Sequence, residues 1–135
     1  MSRAKNRVVL SETPATFATV VPETVVSADS LYPYCLTVGS ILHHNGSMTL
    51  WSDNNTSVAG QGYVAVNPAD AAKAVIAAGS MVKITSGVGS VVLPAQLSGC
   101  VQPGALFVPA HFRELQAGLL LKDSANTVTV KFEKA

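Results

Sequence analysis

Val38-Gly39-Ser40-Ile41-Leu42-His43-His44-Asn45-Gly46-Ser47-Met48-Thr49 and Pro103-Gly104-Ala105-Leu106-Phe107-Val108-Pro109-Ala110-His111-Phe112 carry the decisive pattern of this chain. Each segment is an apolar, β-prone run that breaks into a loop marked by Gly, Pro or His. Strands that end in such loops, rather than in amphipathic helices, point away from a parallel sheet with crossover helices.

Working outward, Tyr34–Ile41 is the strand that feeds the first loop. Ser47 is compatible with the start of a short helix, and Trp51 to Gly62 is polar and turn-prone. Tyr63–Val66 predicts a short strand. Asn67-Pro68-Ala69-Asp70 is a helix start: Asn67 as cap, Pro68 at the first helical position, and Asp70 near the positive end. The expected helix runs from Pro68 to about Ala77, with Gly79 as its left-handed stop. Met81–Thr85 and Ser90–Leu97 flank Ser86-Gly87-Val88-Gly89 as a hairpin. Pro103-Gly104 suits a type II turn. Leu106–Val108 and the alternating Thr127–Glu133 complete about six short strands, a pattern that predicts a mostly β, small closed barrel. Residues 1–32, with Pro14 and Pro22 and no partner for their short β-prone pieces, are expected to be an extended tether. The barrel domain is then 33–135, and mobility is expected over residues 1–30.

The chain has 135 residues, 48% of them apolar and only 13% charged, with a formal charge of +1. That length suits one core, and the sparse charge suits a module whose surface is partly covered by other protein. The near-neutral balance gives no footprint for nucleic acid. Cys35 and Cys100 make no disulfide framework and no CxxC. No apolar run is long enough for membrane insertion and no signal peptide is recognisable, so a cytoplasmic location is expected.

Catalytic and metal chemistry find little support. His43 and His44 are adjacent and on a strand would face opposite ways; neither they nor His111 have zinc-ligand spacing to a Cys or carboxylate. Ser40, Ser47, Cys35 and Cys100 lie in no nucleophile elbow. Four Gly-Ser pairs (39–40, 46–47, 79–80, 89–90) leave open a self-cleaving pyruvoyl decarboxylase on a small barrel. No Walker or Rossmann glycine pattern is present. Gly39-Ser40 and Asn45-Gly46-Ser47-Met48-Thr49 do offer flexible backbone, hydroxyls and an amide suited to a pterin edge or a pyrophosphate.

Taken in order, the Gly loop with His44, Gly46, Ser47 and Thr49, then Val66-Asn67-Pro68-Ala69-Asp70-Ala71-Ala72, then Ala78–Ser86, then Pro103–Phe112, resemble the C-terminal dinucleotide-binding domain of the molybdopterin oxidoreductase family over about residues 34–133. The resemblance implies a six-stranded double-psi β-barrel of the aspartate-decarboxylase-like class, with one or two short helices. It implies a domain that binds molybdopterin guanine dinucleotide without catalysing in isolation, metal ligands and redox centres being supplied by upstream domains and other subunits. By position, Gly39, Ser40, His44, Gly46, Ser47, Met48 and Thr49 would line the pterin side, with His111 and Phe112 in a second contact loop.

Two departures are visible. Ser40 stands where family members often have Arg, and Gly118-Leu119-Leu120 stands where an Asn followed by Leu-Thr is often found. These losses, and the Phe112-Arg113-Glu114-Leu115 continuation, resemble the large iron–sulfur subunit of NADH–quinone oxidoreductase (NADH dehydrogenase). There the cofactor site is degenerate, and the parent complex would sit peripheral to the inner membrane. A ligand-free scaffold and a formate dehydrogenase-like molybdenum or tungsten enzyme remain as alternatives.

Overall fold

A computed structural model describes residues 30–43, 47–122 and 125–135. The expected tether, residues 1–29 above all, lies outside the described residues. The described chain runs β1 (Tyr34–Gly39), η1 (Ser47–Trp51), α1 (Asp53–Val58), β2 (Val64–Val66), α2 (Pro68–Lys73), β3 (Met81–Ser86), β4 (Ser90–Leu97), β5 (Ala105–Pro109), η2 (Arg113–Leu115), η3 (Ala117–Leu120) and β6 (Thr127–Lys134), where η marks a 3-10 turn.

The six strands close in the order β1-β5-β2-β4-β3-β6. Two neighbouring pairs are parallel, β1 with β5 and β2 with β4, and the other four are antiparallel. This is the mostly β, six-stranded double-psi barrel expected from the sequence. Strand alternation fills its interior. Leu36, Val64, Val82, Leu93, Leu106 and Val130, one from each strand, are all 1% exposed or less. Phe112, Leu115, Ala117 and Leu120 join the same core from the segment after β5. Tyr34 packs edge-on to Phe132 with ring centroids 4.5 Å apart.

The turn chemistry before β5 is as expected. Gly104 has φ +81° and Ala105 N–H donates to Gln102 C=O at 3.1 Å, so Pro103-Gly104 forms the type II turn that glycine permits. The start of α2 also agrees: Asn67 Oδ1 accepts from Ala69 N–H at 2.8 Å, with Pro68 following.

The end of α2 differs from expectation. The helix stops at Lys73, and the left-handed residue is Val75, with φ +54°. Val75 N–H donates to Ala72 C=O at 3.2 Å and Ile76 N–H to Ala71 C=O at 2.9 Å, the pair of bonds of a Schellman end. Gly79 is also left-handed, but it serves the approach to β3, where its N–H donates to Ala95 C=O at 2.7 Å. Early termination lets Ile76 turn into the core, where it is 5% exposed.

Val75 itself is 79% exposed, so its side chain gains little from packing. A β-branched residue in the left-handed region costs about 1–2 kcal/mol. Val75→Gly should therefore stabilise the barrel, by about 0.5–1 kcal/mol after the extra backbone entropy of glycine. Thermal denaturation of the two proteins checks it; an equal or lower melting temperature for the variant would mean that Val75 carries no such strain.

Candidate functional site

Parallel pairing of β1 and β5 makes the site, because it points both decisive loops the same way. Thr37, Val38 and Gly39 register with Phe107, Val108 and Pro109. One residue beyond, Ala110 N–H donates to Gly39 C=O at 2.8 Å. The loop after β1 and the loop after β5 thus leave one end of the barrel side by side. Gly39 fits because a Cβ there would sit 3.2 Å from Phe107 Cε2, so the small residue keeps the rim open over that ring.

The predicted site residues divide as follows. Ser40 is exposed on this rim. Ser47 begins η1, and Met48 is 87% exposed. Thr49 is half-buried and already engaged with a neighbour. His44 and Gly46 lie outside the described residues. His111 is half-buried, its ring 4.3 Å from that of Phe112 and tilted by 38°.

Phe112 follows His111 after β5, but its ring does not face the rim. Its side chain is 2% exposed within the core, so the ring cannot stack on a ligand at the rim. The reason is local: η2 starts at the next residue, and Phe112 with Leu115 anchors that segment in the core. What Phe112 gives to the site is the placement of its neighbours.

One of those neighbours escapes a reading of the sequence alone. Arg113 is exposed at the start of η2, so a cation lies close in sequence to the loop after β5. Its signal is adjacency to His111-Phe112. The rim offers backbone at Gly39 and a hydroxyl at Ser40, and Arg113 follows three residues after Ala110; groups of these kinds suit a phosphate. Among the described residues no three His, Cys, Asp or Glu side chains are grouped to hold a metal ion.

Behind the rim, Asp70 secures the start of β5 from the other side. It is 2% exposed, accepts from Gly104 N–H at 2.6 Å through Oδ2 and pairs with Lys73 Nζ at 3.0 Å through Oδ1. Asn67 Nδ2 adds a bond to Val101 C=O at 2.7 Å. Burial pushes the Asp70 carboxyl up, but the Gly104 N–H and the Lys73 ammonium outweigh it and hold it below the usual carboxylate value.

A cleft of about 460 Å³ lies elsewhere, on the outer wall, across a row of facing residues: Thr37, Phe107, Ala65 and Gln96. Among the described residues, none of the predicted site residues lines it. Sequence reasoning misses it because the row exists only once the lateral strand order is known.

Known proteins share this fold and family. Residues 34–134 match the family described as the molydopterin dinucleotide binding domain. The NADPH-Fe(3+) oxidoreductase subunit alpha of Geobacter sulfurreducens is 43% identical over 103 residues, covering 76% of this chain and 12% of that protein. The F420-dependent formate dehydrogenase 1 subunit alpha of Methanococcus maripaludis is 37% identical over 95 residues, covering 69% and 14% respectively. The chain thus spans a small fraction of the length of these relatives. Among solved structures, acetylene hydratase from Pelobacter acetylenicus superposes with a TM-score of 0.65 at 13% identity, over 77% of this chain and 18% of that one, which shows the shared fold. The chain belongs to the molydopterin dinucleotide binding domain family.

Proposed function

We propose that this barrel holds the nucleotide end of a molybdopterin guanine dinucleotide within the large subunit of an oxidoreductase, and that the contacts come from residues 39–49 and 110–113. The observation that carries the proposal is the Gly39–Ala110 hydrogen bond, which fixes the two loops as one rim. In this reading Arg113 takes the place of the cation missing at Ser40, pairing with the pyrophosphate, while Ser40 and the backbone beyond Gly39 supply neutral donors. The metal and the redox steps belong to other domains. The names of the relatives, an NADPH-Fe(3+) oxidoreductase and F420-dependent formate dehydrogenases, direct the proposal to alpha subunits of that kind and away from the large iron–sulfur subunit of NADH–quinone oxidoreductase.

The test is a titration of the protein with GDP followed by amide chemical shifts. Shifts at 39–43, 47–49 and 110–113 are expected, and Arg113→Ala should weaken binding about tenfold, the loss of one charge-assisted pair. Ser40→Arg should strengthen it. One observation favours a second reading, a barrel kept as scaffold: the core position of Phe112 removes an aromatic contact from the rim. Silence at millimolar GDP, in the wild type and in Ser40→Arg alike, would decide for the scaffold.

A further inference from the structure

The rim shares its end of the barrel with two other turns. β2 runs antiparallel to β5 and parallel to β4, and β3 antiparallel to β4. The entry to β2 and the turn between β3 and β4 therefore lie at the same end as the exits of β1 and β5. The chain that leaves β5 crosses this end as a strap. Phe112, Leu115, Ala117 and Leu120 turn into the core, while Arg113 and Leu119 between them stay exposed.

Two glycines let the strap sit where it does. A Cβ on Gly62, just ahead of β2, would overlap Cγ and Cδ2 of Leu115 and lie 2.7 Å from its Cδ1. One on Gly89, in the β3–β4 turn, would lie 2.6 Å from the Leu119 carbonyl oxygen. Neither glycine has a positive φ, so the requirement is space and not backbone freedom. Gly89 is itself held in place. Ser86, 4% exposed, accepts at Oγ from the Val88 and Gly89 N–H groups, each at 3.2 Å, and its own N–H donates to Gly89 C=O at 2.8 Å. Between the two contacts, Gln116 has φ +48°, a left-handed conformation that a non-glycine residue keeps only where its surroundings impose it.

We infer that Gly62 and Gly89 are positioning residues of the rim. By admitting Leu115 and Leu119 they set how deep the strap seats, and so where residues 110–113 stand against Gly39. The path is short, since Ala110 is bonded to Gly39 and Phe112 and Leu115 anchor the chain directly after it. For its effect on ligand the inference rests on the proposed nucleotide site; the placement of the loop can be read without one.

The experiment records amide spectra of the 135-residue chain and of Gly89→Ala, Gly62→Ala and Gly87→Ala, first without ligand and then with GDP. Gly87 lies in the same turn as Gly89, but a Cβ there would meet nothing within 4 Å, so its variant controls for the altered freedom of the turn. Gly89→Ala and Gly62→Ala should shift the amides of 110–113 and weaken GDP binding about tenfold, while Gly87→Ala does neither. Rescue separates seating from stability. Adding Leu115→Ala removes the three atoms that crowd residue 62 and should return the 110–113 amides of Gly62→Ala toward wild type. Leu119→Ala should not rescue Gly89→Ala, because the obstacle there is a backbone oxygen. Ser86→Ala adds no atom, and by releasing the Val88 and Gly89 N–H groups it should move the same amides even if the added methyl groups unfold the barrel. Unmoved 110–113 amides in the folded variants, or equal movement in Gly87→Ala, would overturn the inference. So would moved amides with GDP affinity still within about twofold of a wild type that binds it. Moved amides in a chain that binds no GDP would keep the positioning role and remove the nucleotide reading alone.

Discussion

Asp70→Ala should lower the stability of the barrel by about 2–3 kcal/mol, the cost of leaving a buried donor without its charged acceptor. Asp70 is the fully buried carboxylate among the described residues, 2% exposed, and it ties α2 to the turn that starts β5. Removal leaves Gly104 N–H without its acceptor and leaves Lys73 without its partner. The first loss dominates, because the Lys73 side chain is 70% exposed and an ion pair to such a group is worth little. Gly104 C=O accepts from Cys35 N–H at 2.9 Å, so the disturbance passes directly into β1. For a domain near 100 residues the melting temperature should fall by roughly 8–20 °C. A fall of only a degree or two would show that the clamp is dispensable.

The same carboxylate sets an acid limit. Its folded pKa lies below the ordinary aspartate value of 3.8, so its contribution to stability is complete above that value and is lost as the pH drops through the lower, folded pKa. Asp70→Asn, which cannot ionise, removes that dependence. The stability difference between wild type and Asp70→Asn should therefore be flat from neutral pH to about 5 and shrink below about 4. A difference that grew on acidification would mean that burial, not the Gly104 and Lys73 contacts, governs this carboxyl.

Much of the barrel was legible because its punctuation is chemical. Asn67-Pro68 is built to open a helix, Pro103-Gly104 is built to make a type II turn, and both occur. The end of α2 was not legible, because the expected stop, Gly79, is a real left-handed residue that serves the next strand, while Val75 is driven into the same conformation by the burial of Ile76. The helix α1 was missed for the opposite reason: Asp53–Val58 has no buried residue and so no apolar period to read. At the candidate site, order alone nominates Gly39 and the loop after β5, and the structure sets those two loops side by side. That the Phe112 ring is buried shows only in the packed core, and that Thr37, Phe107, Ala65 and Gln96 form one row depends on lateral strand order. A sequence does not display that order.

Leu36→Ala should be the most damaging single truncation, at about 3–4 kcal/mol, combining lost transfer energy with an unfilled void. Leu36 is fully buried at the middle of β1 and registers with Leu106 on β5 and Val128 on β6, so the lost methyl groups open space under two strand pairs at once. A native domain holds only about 5–15 kcal/mol in all, so urea denaturation should show a midpoint shifted by a large fraction of its value. The position also has a functional reach. Gly39 is the last residue of β1, three beyond Leu36, and its carbonyl carries the bond to Ala110 that joins the two loops. Loosening β1 should therefore speed amide exchange at Ala110 more than at Ala95, whose bond to Ser80 lies across the barrel. Leu36→Met, which conserves volume, should cost less than about 1.5 kcal/mol and leave Ala110 protected. Equal exchange at the two amides in Leu36→Ala would mean that the rim is held by its loops and not by the strand beneath them.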